Sequence, residues 1–150
     1  MPGTYQQEET NMKLKVIGYW VTTAIIEFEL LVRGIAELVH GRTVLVVGSP
    51  VADVLAHLGY PVYLLTILGI WKILAGLALV VPGFPRLKEW AYAGVFFEMT
   101  GAAASWIAIG DKTGEFITPL IFAVVAMISW AFRPPRASWE SFLRMKAPGL

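Results

Sequence analysis

Four apolar runs, parted by short polar or proline-rich breaks, set the hydropathy pattern of this chain: Val16 to Val39, Pro61 to Val81, Trp90 to Ile109 and Phe116 to Phe132. At about 1.5 Å per residue, each run crosses most or all of a hydrocarbon core of about 30 Å. The pattern therefore predicts an all-α fold, an integral membrane four-helix bundle with spans over residues 16–39, 61–81, 90–109 and 116–132, in one domain over residues 1–150. Residues 1–15 and 133–150 are predicted as tails. The connection from His40 to Tyr60 is not uniformly polar. It contains TVLVV, then a Gly-Ser-Pro break, then VADVLAHL, in which Val51, Val54, Leu55 and Leu58 recur at helical spacing. That spacing predicts a short extracytoplasmic helix from Pro50, capped by Ser49, lying over the bundle mouth after a strand-like or re-entrant Thr43 to Val47. PGFPRLKE and Gly110 to Gly114 read as tight turns at opposite ends of the bundle. Past Arg133-Pro134-Pro135 a helix cannot continue. Ser138 then opens WESFLRMK, whose Trp139, Phe142 and Leu143 share a face, the pattern of an interfacial amphipathic helix on the inner leaflet.

Charges inside the apolar runs change this picture most. The first span carries Glu27, Glu29, Arg33 and Glu37. A charge at the centre of a membrane helix costs about 2.5–3.5 kcal/mol, and each Leu, Ile, Val or Phe returns only about 0.3–0.6 kcal/mol. The apolar residues of that span cannot offset four charges, so these must face protein. Glu29, Arg33 and Glu37 follow at helical i, i+4 and i+8 spacing and form an acid-base-acid ladder, with Glu27 on another side. Lys72 in the second span and Glu98 in the third both lie about 12–14 Å from the inner end, at matching depth. Each shares its face with small residues: Gly69 and Gly76 beside Lys72, and Gly94, Gly101, Ala102 and Ser105 beside Glu98. Such faces let backbones approach closely, which turns the charges inward. The expected arrangement is Glu27, Lys72 and Glu98 together at mid-membrane, with Glu29, Arg33 and Glu37 in the outer half. Four acids then face two bases, and the surplus awaits a proton, a cation or a hydrogen-bonding ligand. The bland alternative is a set of salt bridges that fixes helix register.

Composition agrees with a membrane protein: 57% apolar and 13% aromatic residues, with a mean hydropathy of +0.64. Among the Lys and Arg outside the spans, eight (Lys13, Lys15, Arg86, Lys88, Arg133, Arg136, Arg144, Lys146) fall on one side and only Arg42 and Lys112 on the other. The positive-inside bias predicts that both termini are cytoplasmic. Tyr19, Trp20, Trp90, Tyr92 and Trp130 are placed near the inner headgroups by the same topology. A net charge of +1 without a dense basic patch gives no basis for nucleic-acid binding. There is no cysteine, which excludes disulfides, thiol catalysis and thiolate-held metal. His40 and His57 both fall near the outer loop, so haem held between spans by two histidines is disfavoured, and no metal site or catalytic residue is assigned. Trp71, beside Lys72, is a candidate to stack on a ligand or on Arg33.

The segments GYWVTTAI and GIAEL in the first span, LGYP, LGIWK and PRLKEWAYAG further on, the EMTGA stretch at Glu98, and SWAFRPP at the end of the fourth span together resemble the DoxX-like family of small bacterial four-span membrane proteins. The likeness runs from Tyr19 to Pro135. It implies a multi-pass protein of the bacterial cytoplasmic membrane, broadly related to DoxX and DoxD proteins associated with quinone-linked sulfur oxidation. A more distant likeness in architecture is to sterol-handling bundles with acidic residues in an interior pocket. The reading that follows is a binder of a small lipophilic molecule, such as a quinone, isoprenoid or sterol-like compound. Its pocket would be lined by Glu27, Glu29, Arg33, Glu37, Trp71, Lys72 and Glu98, with no intrinsic cofactor but a bound quinone or lipid. The alternative is an accessory or assembly subunit of a larger respiratory or redox-linked membrane complex, or a homo-oligomer, whose buried charges are structural. An enzyme doing proton-coupled isomerisation or quinone reduction is a third reading, which no cofactor motif supports.

Overall fold

Proline and glycine punctuation divides the chain into five helices: α1 (Gly3–Leu38), α2 (Val51–His57), α3 (Tyr63–Val80), α4 (Pro85–Ala108) and α5 (Ile117–Phe132). The computed structural model describes residues 3–39, 50–110 and 112–133, and among these there is no strand. Pro61 precedes α3 and Pro82 follows it, while Pro85 occupies the first turn of α4, where its missing N–H costs nothing. Between them Gly83, at φ 95°, takes the left-handed conformation that this tight reversal requires. Pro119 falls within the first turn of α5 and is tolerated for the same reason. The predicted Ser49 cap, the Thr43 to Val47 segment and the helix after Ser138 lie outside the described residues. The short helix itself is present, but it starts at Val51 after Pro50.

α1 runs unbroken for 36 residues from Gly3, so the predicted tail ahead of the first span is helical over its described residues. It spans about 54 Å, longer than a hydrocarbon core. One described helix, Tyr63–Val80, is long and apolar enough to cross a membrane on composition alone, with a mean hydropathy of 2.0. Ile117–Phe132 is as apolar but shorter.

Around the bundle, α1 packs on α3 and α5, and α4 packs on α3 and α5, so the four long helices form a ring. The closest approach is between α1 and α3. A Cβ on Gly69 would lie 2.8 Å from the Gly34 carbonyl oxygen and 3.0 Å from the Leu38 nitrogen, and one on Gly34 would lie 3.1 Å from Lys72 Cβ. Only glycine permits these two backbones to meet. Ile26, Leu30, Leu79, Val95, Met99 and Ala126 belong to one buried apolar cluster that ties all four long helices together. A second cluster of Ala36, Val51, Leu55 and Leu65 fastens α2 onto α1 and α3. Polar side chains on the helices are satisfied locally: Thr22 donates to the Gly18 carbonyl at 2.7 Å, Thr100 to Phe96 at 2.8 Å, and Ser105 to Gly101 at 2.9 Å.

One polar cluster joins three helices. Ser129 on α5 is fully buried and shares hydrogen bonds with Thr23 of α1 and Tyr92 of α4, each at 2.8 Å. Tyr19 and Tyr92 are therefore core residues, at 7% and 5% exposure, and not the interfacial aromatics expected. Their hydroxyls find partners inside, which removes the reason for an amphipathic ring to stay at a headgroup.

Candidate functional site

Where α1, α3 and α4 converge, Lys72 is clamped between two carboxylates. Its ammonium donates to Glu37 Oε1 and lies 2.9 Å from Glu98 Oε1. Lys72 and Glu37 are both almost completely buried, at 5% and 4% exposure. Helix direction explains the pairing. Side chains lean toward the N-terminus of their own helix, and α1 and α3 are antiparallel, so Lys72 on α3 and Glu37 on α1 lean toward each other along the shared axis. Their backbones differ in depth by about a turn, and the two leans close that gap.

The same rule separates Glu27 from the clamp. Glu27 leans away from Lys72, toward the α3–α4 turn, and its Oε2 rests 3.0 Å from where a Gly76 Cβ would be. Both of its carboxyl oxygens are buried without a hydrogen-bond partner. The expected central trio of Glu27, Lys72 and Glu98 is thus corrected to Glu37, Lys72 and Glu98. Depth alone, counted along the sequence, misassigned the first acid because it ignored side-chain direction. The ladder on α1 is divided too: Arg33 Nε bonds Glu29 Oε1 at 3.0 Å, while Glu37 turns to Lys72.

A cavity of about 660 Å³ opens beside the clamp. Glu29, Arg33, Glu37, Lys72 and Glu98 line it, but Glu27 and Trp71 do not. Trp71 is 64% exposed on the outer surface of α3, one residue and hence about 100° around the helix from Lys72, so it cannot reach the same space. Much of the remaining wall is apolar and aromatic, including Phe28, Val32, Leu68, Ala102, Trp106 and Phe122. Val51, Val54, Leu55 and Leu58 of α2 contribute a further side, and Met99, part of the buried apolar cluster, another. Sequence reasoning had not placed Tyr60 and Ser105 in one site; their hydroxyls meet at 2.9 Å and both line the cavity. His57 packs its ring 5.3 Å from that of Trp106, and His40 lies outside the described residues.

At the other end of the bundle, Trp130 Nε1 donates to Glu89 Oε2 at 2.6 Å, and Arg133 pairs with Glu89 Oε1. The Trp130 hydrogen bond, with Arg133 adding to it, holds the Glu89 carboxyl below its ordinary range. Lys88 reaches back to the Leu79 carbonyl and closes the α3–α4 turn.

Residues 21–129, well over half of the chain, match the DoxX-like family. The chain belongs to the DoxX-like family. The comparisons with curated proteins and with solved structures gave no match. In this DoxX-like protein the matched segment contains the entire clamp, the Glu29–Arg33 pair and the hydroxyl cluster at Ser129, while the N-terminal part of α1 lies before it. The sequence likeness drawn from Tyr19 to Pro135 and the matched region thus nearly coincide.

Proposed function

We propose that this DoxX-like protein is a four-span protein of the bacterial cytoplasmic membrane that binds one small lipophilic molecule in the cavity beside Lys72. The observation that carries the reading is the cavity itself: about 660 Å³, within the range of about 300–1,000 Å³ typical of small-molecule sites. It combines apolar walls with a few convergent polar groups. A register-fixing salt bridge needs no such space, and a fully packed core would serve it better. The head of a quinone, isoprenoid alcohol or sterol-like compound would meet Arg33, Lys72 and the carboxylates, and its tail the aromatic wall. The donor set fits such a head: Lys72 and Arg33 donate, and the carboxylates accept or carry protons.

The membrane topology has its own support. Large apolar side chains stand exposed on the outside of all four long helices, among them Ile25 and Ile35 on α1, Ile70 and Leu74 on α3, Trp90 and Ile107 on α4, and Ile121 and Val124 on α5. An exposed apolar surface of that extent suits lipid and not water. The charges of α1 and α4 that made those helices poor spans on composition are turned into the ring. Both termini then lie on the cytoplasmic side, with Arg86, Lys88 and Arg133. Because the chain has no cysteine, single replacements at Arg86→Cys and Lys112→Cys report the topology without background: an impermeant thiol reagent should label only the second from outside the cell.

Mass spectrometry of the protein after gentle detergent extraction tests the binding function. A lipophilic small molecule should be retained at about one per chain and lost from Ala102→Phe, which fills the cavity. Retention unaffected by Ala102→Phe, or co-purification of a stoichiometric partner protein with no small molecule, would favour the accessory-subunit reading instead.

A further inference from the structure

The clamp is one cation short. Glu29 is matched by Arg33 on its own helix, but Lys72 alone serves both Glu37 and Glu98, and Glu115 also lines the cavity, so four carboxylates there face two bases. The shortage is localised on one atom: Glu37 is 4% exposed, its Oε1 takes the Lys72 proton, and its Oε2 is buried with no hydrogen-bond partner. A buried acceptor without a donor is a cost that a ligand can remove. Resting on the binding function proposed above, we infer that the cavity selects a lipophilic molecule with a protonated amine head, which donates an N–H to Glu37 Oε2 and supplies the missing charge. The wall suits such a head. Trp106 and Phe122 present aromatic rings to the same space, and ring faces attract cations, more so where water is excluded. A carboxylate or phosphate head would instead meet the surplus of negative charge.

The test uses the full-length protein in lipid nanodiscs with three probes of equal tail length: n-decylamine, n-decanol and a decyl-tailed quinone. Binding is followed by tryptophan fluorescence, with Ala102→Phe as the baseline for partition into lipid. Decylamine should bind about tenfold more tightly than the other two, the gap expected when a charge-assisted hydrogen bond replaces a neutral one. Glu37→Gln should remove that advantage, bringing decylamine to the affinity of decanol in the same variant. Should Glu37→Gln fail to fold, the ranking of the three probes on the unaltered protein decides alone. Decanol or the quinone binding as tightly as the amine would overturn the inference and leave the pocket reading standing, since the surplus acid would then hold a proton in place of a cation. Binding of none of the three above the Ala102→Phe baseline would overturn both.

Discussion

Lys72 and Glu98 face each other across α3 and α4 at 2.9 Å, and Glu37 approaches the same ammonium from α1. One base thereby ties three helices of the ring, and the two acids bind it from opposite neighbours. Removing either acid leaves Lys72 with a partner, but removing Lys72 takes that partner from buried Glu37 and partly buried Glu98 alike.

Lys72→Met should therefore destabilise the bundle by about 3–5 kcal/mol, the usual cost of stranding a buried charge. Lys72→Met with Glu98→Gln should recover only part of the loss, because Glu37 is still stranded. Lys72→Met with both Glu37→Gln and Glu98→Gln should recover most of it. Unfolding in mixed detergent measures all three, and full recovery in the double variant would mean that Glu37 does not share the clamp.

Glycine replacements should split by position. Gly69→Ala drives a methyl into the Gly34 carbonyl and should cost about 1–3 kcal/mol, since backbone cannot step aside. Gly101→Ala meets open space and should be neutral or stabilising by up to about 1 kcal/mol through helix propensity. Thermal unfolding of the two variants checks the α1–α3 contact directly.

Glu27 is a buried carboxyl whose two oxygens are both unsatisfied. Glu27→Leu should raise stability by about 1–3 kcal/mol, the penalty of a lone buried polar group. It should leave ligand retention intact, because Glu27 does not line the cavity. Loss of the retained molecule in this variant would show that Glu27 reaches the site.

Ser129→Ala removes the hydroxyl that joins Thr23 to Tyr92 and leaves both without that partner. A loss of about 1–3 kcal/mol is expected. Ser129→Ala combined with Thr23→Val and Tyr92→Phe should cost less than the sum of the singles, which a double- and triple-variant cycle measures.

Stability should also depend on pH through Glu89 in the first turns of α4. Its folded pKa is depressed, first by the Trp130 hydrogen bond and then by Arg133, so its contribution is present above the ordinary carboxylate range and is lost as pH falls through the lowered value. The unaltered protein should be more stable than Glu89→Gln at pH 7, and the two should converge once pH has fallen below the ordinary carboxylate range. The effect is small because the Glu89 side chain is 43% exposed, and a constant difference from pH 7 to pH 3 would exclude it.

The limits of α3 and α5 and the inward turn of the charges were legible in the sequence, because hydropathy runs, prolines and small-residue faces are local properties. The expected span at 61–81 became α3 at Tyr63–Val80, and that at 116–132 became α5 at Ile117–Phe132. The facing of Lys72 and Glu98 was legible too, since both depth and small-residue face could be counted along each helix. What the sequence could not settle was which acid of α1 completes the clamp. Glu27 and Glu37 are both on α1, and the choice between them depends on how α1 slides along α3 at the Gly34–Gly69 contact and on the opposed lean of side chains in antiparallel helices. The burial of Tyr19 and Tyr92, the Thr23–Ser129–Tyr92 cluster and the cavity beside the clamp likewise arise only from packing. Local pattern fixes which face of a helix is turned inward; the depth at which two such faces meet is a property of the pair, and only the folded bundle contains the pair.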